Sequence, residues 1–106
     1  MVENLEKNIA NKVAIVTGGA KGIGASIVKK LAQNGYNVIL NYNKSESQAK
    51  AIENEFSNVY IFKANVSIYE EVKSLVDFTI NKFGKIDLLV NNAGIDLLKT
   101  INDTSI

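Results

Sequence analysis

Three residue types that often mark a protein's chemistry or location are missing from this chain. Its 106 residues include no cysteine, no histidine and no proline. Without cysteine there is no disulfide and no thiolate metal site, and a reducing cytoplasm is the expected location. Without histidine there is neither an imidazole general base nor an ordinary zinc site, so we expect no bound metal. Because proline is absent, no rigid proline linker divides the sequence.

The chain also lacks a strong charge of either sign. Twelve basic against eleven acidic residues leave a formal net charge of +1, which gives no reason to expect a nucleic-acid partner. No uninterrupted apolar run approaches the roughly 20 residues of a membrane span. The polar lead-in, residues 1–11, lacks the apolar core of a signal peptide. With 46% hydrophobic and 22% charged residues, the composition is typical of one soluble globular domain.

Four apolar runs alternate with three amphipathic segments after this lead-in. The runs predict strands over 12–18, 36–42, 58–64 and 85–94, the first of them buried on both faces. The segments predict helices that begin at Gly22, at a capping box from Ser45 to Gln48, and at a capping box from Ser67 to Glu70. Asn34-Gly35 and Gly84 would end the first and third helices. This order predicts an α/β fold, a Rossmann-like three-layer αβα arrangement on a truncated parallel sheet of four strands in the order 3-2-1-4.

Four glycines fall within the nine residues VTGGAKGIG, directly after the first predicted strand. Gly18, Gly22 and Gly24 lie where a dinucleotide-binding unit places its phosphate loop. The first would make the tight turn, the second would let backbone approach the pyrophosphate, and the third would let the helix pack close to the strand. The helix N-terminus would then face the anionic phosphates. A purely structural turn is the alternative, but strand, turn, helix and second strand all fall where nucleotide binding requires them.

The glycine spacing and two further motifs resemble a known family. G-x-x-x-G-x-G differs from the G-x-G-x-x-G fingerprint. TGGAKGIG, with NVS after the third predicted strand and NNAG after the fourth, is similar to the short-chain dehydrogenase/reductase family. The resemblance runs from Lys12 onward and covers less than half of that family's domain.

The resemblance implies cofactor-binding roles wherever the motifs match. The pyrophosphate and adjacent ribose would be held by Gly18, Lys21, Gly22, Ile23 and Gly24. Asn65, with Val66 beside it, stands where the family usually has an aspartate that reaches the adenine amino group, and its amide oxygen can still accept that hydrogen bond. The NNAG turn would support the sheet and line the passage of the ribose and nicotinamide, through Asn91, Asn92, Ala93 and Gly94. For Asn91, a structural role that ties strands together is an equal alternative.

The end of the second predicted strand indicates which nicotinamide cofactor is used. NAD-preferring enzymes place Asp or Glu there to bond the ribose hydroxyls, whereas this chain has Tyr42 preceded by Asn41. Without a carboxylate to repel a 2′-phosphate, Lys21 and Lys44 can offer it positive charge, solvated surface lysines being the alternative. We therefore expect NADP(H), with residues 12–106 forming the first half of an NADP-binding Rossmann domain.

Catalysis in the family that the chain resembles uses a Tyr in Y-x-x-x-K, helped by Lys, Ser and Asn. The Tyr protonates a carbonyl oxygen while hydride arrives from the nicotinamide. The chain has one such match, YEEVK from Tyr69 to Lys73, but it precedes NNAG, whereas the family's pair follows it. We therefore expect no catalytic residue among these 106 and no turnover by the chain alone.

Within that family the chain most resembles the 3-oxoacyl-[acyl-carrier-protein] reductases. This implies hydride transfer to a 3-keto thioester held by acyl carrier protein, a step of fatty acid biosynthesis. The alternatives are another short-chain enzyme acting on a small alcohol or ketone, and a non-catalytic nucleotide-binding or assembly module. If the fourth strand forms a sheet edge, its unpaired backbone is a template for pairing, so we also predict self-association.

Overall fold

A computed structural model describes residues 12–93 of the chain. Its elements are β1 (Val13–Val16), α1 (Gly22–Gln33), β2 (Asn37–Tyr42), α2 (Glu46–Glu55), β3 (Val59–Lys63), α3 (Tyr69–Phe83) and β4 (Leu88–Val90). All neighbouring strands pair in parallel, in the order β3-β2-β1-β4. The predicted Rossmann-like α/β fold and the strand order 3-2-1-4 are confirmed. The lead-in, residues 1–11, and Gly94 with the segment after it lie outside the described residues.

Helices cover both faces of the sheet, which explains the unbroken apolar sequence of β1. Val16 packs on the side of α1 and α2, with Val28 and Ile52. Ile15 packs on the opposite side, with Leu75 of α3. Every residue of β1 is at most 1% exposed. A strand buried on both faces has no polar side to show, so apolar residues do not alternate with polar ones.

The pairing of β1 with β4 is extended by one side chain. Asp87, just before β4, donates its N–H to the Val13 carbonyl at 2.8 Å. Its Oδ2 accepts the Val13 N–H, also at 2.8 Å. Burial raises the pKa of Asp87, but the Val13 N–H and the Lys85 ammonium, 3.2 Å from Oδ2, outweigh burial and hold that pKa below its usual range. The carboxylate thus acts as the acceptor that the sheet backbone does not provide here.

Two of the predicted helix stops are confirmed by backbone geometry. Gly35, after α1, has φ +91°, and Gly84, after α3, has φ +79°. Both values lie in the left-handed region, which glycine enters without steric cost. The Gly84 N–H donates to the Ile80 carbonyl at 2.7 Å and so satisfies one of the last carbonyls of α3.

The two predicted capping boxes are wrong. Ser45 does occupy the N-cap of α2, but its side chain makes no capping hydrogen bond. The N-cap of α3 is Ile68, and the helix begins at Tyr69, two residues after Ser67. The S-x-x-E pattern predicted the start of α3 to within one turn. Ser67, however, hydrogen-bonds to a competing acceptor and does not cap the helix.

That competing acceptor is the side chain of Asn65. The backbone N–H and the hydroxyl of Ser67 both donate to Asn65 Oδ1, at 3.0 and 2.6 Å. The Asn65 N–H in turn donates to Glu71 Oε1 at 2.8 Å. Asparagine side chains commonly form such turns with the backbone two residues on, and here the turn replaces the predicted cap.

Candidate functional site

The glycine-rich turn joins the carboxyl end of β1 to the first residues of α1. Gly18 has φ +62° and Gly22 φ +56°, in the left-handed region that favours glycine. A Cβ added to Gly22 would meet nothing within 4 Å, so a ligand can approach the backbone there. In the described structure α1 has neither a side-chain cap nor an acidic residue in its first turn. The N–H groups of that turn are therefore available to an anion.

Gly24 lets α1 lie directly against the turn. A Cβ at this position would overlap the Gly18 carbonyl oxygen and would come within 2.6 Å of Asn92 Nδ2. The same Asn92 amide donates to the Gly18 carbonyl at 3.1 Å. Only glycine fits this contact between helix, turn and NNAG segment.

Thr17, which sequence reasoning did not assign to the site, ties the turn to the segment after β4. Its backbone N–H donates to the Val90 carbonyl at 3.0 Å, and its buried hydroxyl accepts the Ala93 N–H at 3.1 Å. The hydroxyl also lies 3.4 Å from Asn91 Oδ1. This contact supports the structural alternative for Asn91. Nothing local in the sequence indicates a partner 76 residues away.

Asn41, on the opposite side of the turn, accepts hydrogen bonds from the turn backbone. From the sequence, only the lack of charge at Asn41 was noted. The residue is 2% exposed. Its backbone carbonyl accepts the Gly19 N–H at 2.9 Å, and its Oδ1 accepts the Gly18 N–H at 3.3 Å. Its Nδ2 donates to the Ala64 carbonyl at 3.0 Å. One buried side chain therefore connects the residues that follow β1 and β3.

A cavity of about 110 Å³ opens beside the turn at the carboxyl end of β2. Its lining consists of Gly18, Ala20, Lys21, Tyr42, Asn43 and Ser45, and none of these is acidic. The structure thus brings Lys21 and Tyr42 to one cavity, whereas Lys44 is exposed and outside the lining. Asn43 and Ser45 were missed. Both residues lie within three positions of Tyr42 in the sequence, which could have indicated that they line the same cavity. Ser45 was interpreted only as a cap of the second helix.

The other predicted residues have different surroundings. Ile23, in the first turn of α1, is 75% exposed, an unusual exposure for a large apolar side chain. Val66 packs into the apolar cluster beneath α3. Asn65 was expected to offer its amide oxygen to a ligand, but that oxygen already accepts two hydrogen bonds from Ser67.

The YEEVK match has the geometry of an exposed helix surface. Tyr69 is the first residue of α3 and is 45% exposed. The Lys73 ammonium lies 2.9 Å from Asp77 Oδ2, and the hydrogen bond and charge of that carboxylate raise the pKa of Lys73. Such pairs four residues apart are common on helices. The contacts of Lys73 support the interpretation of YEEVK as a chance match.

None of the helices within residues 12–93 combines the length and the apolar character of a membrane span. The same residues bring no three side chains of histidine, cysteine, aspartate or glutamate together as metal ligands.

Comparison with known sequences identifies relatives. Residues 12–106 match the short chain dehydrogenase family. The chain is similar to 3-oxoacyl-[acyl-carrier-protein] reductase FabG of Staphylococcus epidermidis, with 44% identity over 89 residues, 80% of this chain and 36% of the relative. It is similar also to L-fucose dehydrogenase of Bos taurus, with 42% identity over 85 residues, 80% of this chain and 31% of the relative. The chain spans about a third of the length of these relatives.

Solved structures agree with the sequence matches. FolM alternative dihydrofolate reductase 1 from Brucella suis, in complex with NADP, superposes with a TM-score of 0.73 at 36% identity, covering 82% of this chain and 36% of that one. A hydroxysteroid dehydrogenase from Escherichia coli gives a TM-score of 0.71 at 30% identity, covering 76% of this chain and 35% of that one. Taken with the parallel sheet and the glycine-rich turn, these matches show that the chain belongs to the short-chain dehydrogenase family.

Proposed function

We propose that this chain is the nucleotide-binding half of an NADP(H)-dependent short-chain oxidoreductase. One observation carries the proposal: Lys21 and Tyr42 line a cavity without a carboxylate beside the uncapped start of α1. A helix N-terminus attracts phosphate, and a lysine without a competing acid favours a further phosphate on the ribose. The solved relative in complex with NADP supports this choice of cofactor.

We propose a position for each part of the dinucleotide. The pyrophosphate fits the open backbone at Gly22, and the 2′-phosphate fits the cavity beside Lys21. Asn65 and Val66 follow β3 and are proposed for the base, while Asn91 and Ala93 follow β4 and are proposed for the nicotinamide side. When bound, the cofactor would supply hydride. These residues bind and orient it, and we propose no catalytic residue and no turnover for the chain alone.

For the substrate of the whole protein, we propose a 3-oxoacyl thioester carried by acyl carrier protein. The 44% identity to a 3-oxoacyl-[acyl-carrier-protein] reductase supports this, and fatty acid biosynthesis and a cytoplasmic location belong to the same proposal. The similar identity of 42% to L-fucose dehydrogenase favours a second candidate, the oxidation of a small alcohol. Both candidates need the same nucleotide site.

Replacing Lys21 by alanine tests the choice of cofactor. Because a hydrogen bond to a charged group contributes about 1.5–3 kcal/mol, we expect NADPH to bind about tenfold more weakly while NADH affinity is little changed. Titration of both cofactors measures this, with Lys30→Ala as the control, since Lys30 is exposed near the other end of α1. Equal affinities for the two cofactors, unaffected by Lys21→Ala, would contradict the assignment to NADP(H).

Self-association through β4 also remains a prediction. Within residues 12–93 β4 is an outer strand, and Leu88 is 36% exposed on it. Exposed strand edges pair with other chains unless charge blocks them. Light scattering should therefore show dimers or larger species, and Leu88→Lys should shift them toward monomer, whereas Lys82→Ala on α3 should not. A monomeric wild-type chain at high concentration would show that the edge does not mediate association.

A further inference from the structure

The turn between α1 and β2 contains the only Asn-Gly pair of the sequence, Asn34-Gly35. Since glycine has no side chain, its backbone nitrogen can approach the preceding asparagine with little steric hindrance. Once this nitrogen has lost its proton to solvent, it can attack Asn34 Cγ. The new N–Cγ bond expels Nδ2, which takes a proton from water and leaves as ammonia. Water then opens the ring and leaves aspartate or isoaspartate in place of the exposed asparagine.

Hydrogen bonds of the folded turn hold both reacting groups. The Gly35 N–H donates to the Ala32 carbonyl at 3.0 Å, so its proton is engaged and the nitrogen is not free to attack. Asn34 Nδ2 donates to the Lys30 carbonyl at 2.8 Å, which directs the side-chain amide toward the preceding turn of α1. The reaction therefore requires that the bond from Gly35 to Ala32 breaks first.

This bond is part of a regular helix end. Gly35 has φ +91°, in the left-handed region, and the next residue, Tyr36, donates its N–H to the Leu31 carbonyl at 3.1 Å. Together with the bond from Gly35 to Ala32, this is the pair of hydrogen bonds of a Schellman motif. Releasing the Gly35 nitrogen thus means opening the end of α1.

One distant side chain opposes that opening. Asn58, which precedes β3 and is half-buried, donates from Nδ2 to the Ala32 carbonyl at 2.9 Å and to the Tyr36 carbonyl at 2.8 Å. Because carbonyl oxygens can only accept, both bonds come from the amide nitrogen. The two carbonyls lie on either side of the Asn-Gly pair, so Asn58 connects the last turn of α1 to the residue before β2.

We propose that Asn34 is a site of spontaneous deamidation that reacts only when the turn between α1 and β2 opens, and that Asn58 is the positioning residue that keeps this turn closed. The product would lose the Nδ2 donor to the Lys30 carbonyl. Isoaspartate would also add a carbon to the main chain between the two residues of the pair and so displace the Gly35 N–H from its acceptor. This inference goes beyond the proposed function and does not require that a nucleotide binds.

The first experiment incubates the 106-residue chain in buffer and in concentrated urea at the same pH. Peptide mapping by mass spectrometry follows the fraction of Asn34 that has been converted over time. Because reaction follows opening, we expect conversion to be at least about tenfold slower in the folded chain. Asn81, exposed on α3 but followed by Lys82, is the internal control and should convert slowly under both conditions.

The second experiment tests the role of Asn58. Asn58→Ala removes two hydrogen bonds that hold the turn, so conversion of Asn34 in the folded chain should become about tenfold faster. Val76→Ala is the matched control, because Val76 is buried beneath α3 and packs in a different cluster. Urea brings both variants to the same free energy of unfolding, and Asn58→Ala should still convert faster. Equal conversion in folded and unfolded wild type, or Asn58→Ala no faster than Val76→Ala, would overturn the inference.

Discussion

Replacing Gly24 by alanine is expected to destabilise the chain by about 2 kcal/mol or more and to weaken nucleotide binding at least tenfold. The new Cβ would overlap the Gly18 carbonyl oxygen and would crowd Asn92 Nδ2. The nearest obstruction is backbone, so relief requires the turn and α1 to move apart. The better helix propensity of alanine, about 1 kcal/mol, offsets only part of this cost.

Gly22→Ala is the matched control for this effect. Its Cβ would meet nothing within 4 Å, so only the positive φ of +56° makes it unfavourable, by about 1–2 kcal/mol. Urea unfolding of both variants measures the free energies, and a Gly24→Ala variant no less stable than Gly22→Ala would show that the close approach of helix and turn does not limit stability. Titration of wild type and of Gly24→Ala with NADPH measures the binding, and an unchanged affinity would show that the same contact does not limit it.

Replacing Asn41 by leucine is expected to lower the free energy of unfolding by about 3 kcal/mol. Leucine has the same number of heavy atoms and the same branching, but the half-buried Gly18 N–H and the buried Ala64 carbonyl both lose their side-chain partner. A buried polar group left without a partner costs about 1–3 kcal/mol each. Denaturant unfolding gives the loss directly. A change within about 0.5 kcal/mol would show that these groups find other partners.

The Asn41→Asp variant tests the same buried hydrogen bonds through the pH dependence of its stability. The introduced carboxylate would keep an acceptor for Gly18 but would face the carbonyl oxygens of Ala64 and Phe62, to which Asn41 Nδ2 now donates at 3.0 and 3.4 Å. Burial and these oxygens favour the protonated acid, so the folded-state pKa of the new carboxyl should rise above its unfolded value.

The stability of Asn41→Asp relative to wild type should therefore decrease as the pH rises. Stability relative to wild type should be highest below the ordinary aspartate pKa, about 3.9, and should fall as the pH rises through the raised folded-state pKa. Unfolding curves from acid to neutral pH measure this difference. The control Asn81→Asp, at an exposed position of α3, should show no such decline. If the stability of Asn41→Asp relative to wild type does not change with pH, the new carboxylate is solvated.

The architecture of this protein could be predicted from its sequence because it depends on local and periodic signals. The unbroken VAIV run predicted a strand buried on both faces, and β1 lies between two layers of helices. Alternation of strands and helices with right-handed crossovers predicted a parallel sheet, and the order 3-2-1-4 is the usual one for a dinucleotide-binding unit. The glycine-rich turn could be placed for a similar reason, since few conformations join a buried strand to a helix so tightly.

The hydrogen bonds around the site were decided only by the tertiary structure. Asn41 reaches Gly18 across 23 residues, and Thr17 reaches Ala93 across 76. Such pairs depend on the register of neighbouring strands, which no short pattern records. A short pattern can also fail between near neighbours. S-x-x-E predicts that Ser67 caps a helix, but it does not include Asn65, whose side chain accepts the Ser67 N–H instead. Periodicity determined which elements form and in what order, whereas competition among polar groups in the folded chain decided which side chains hold and shape the site.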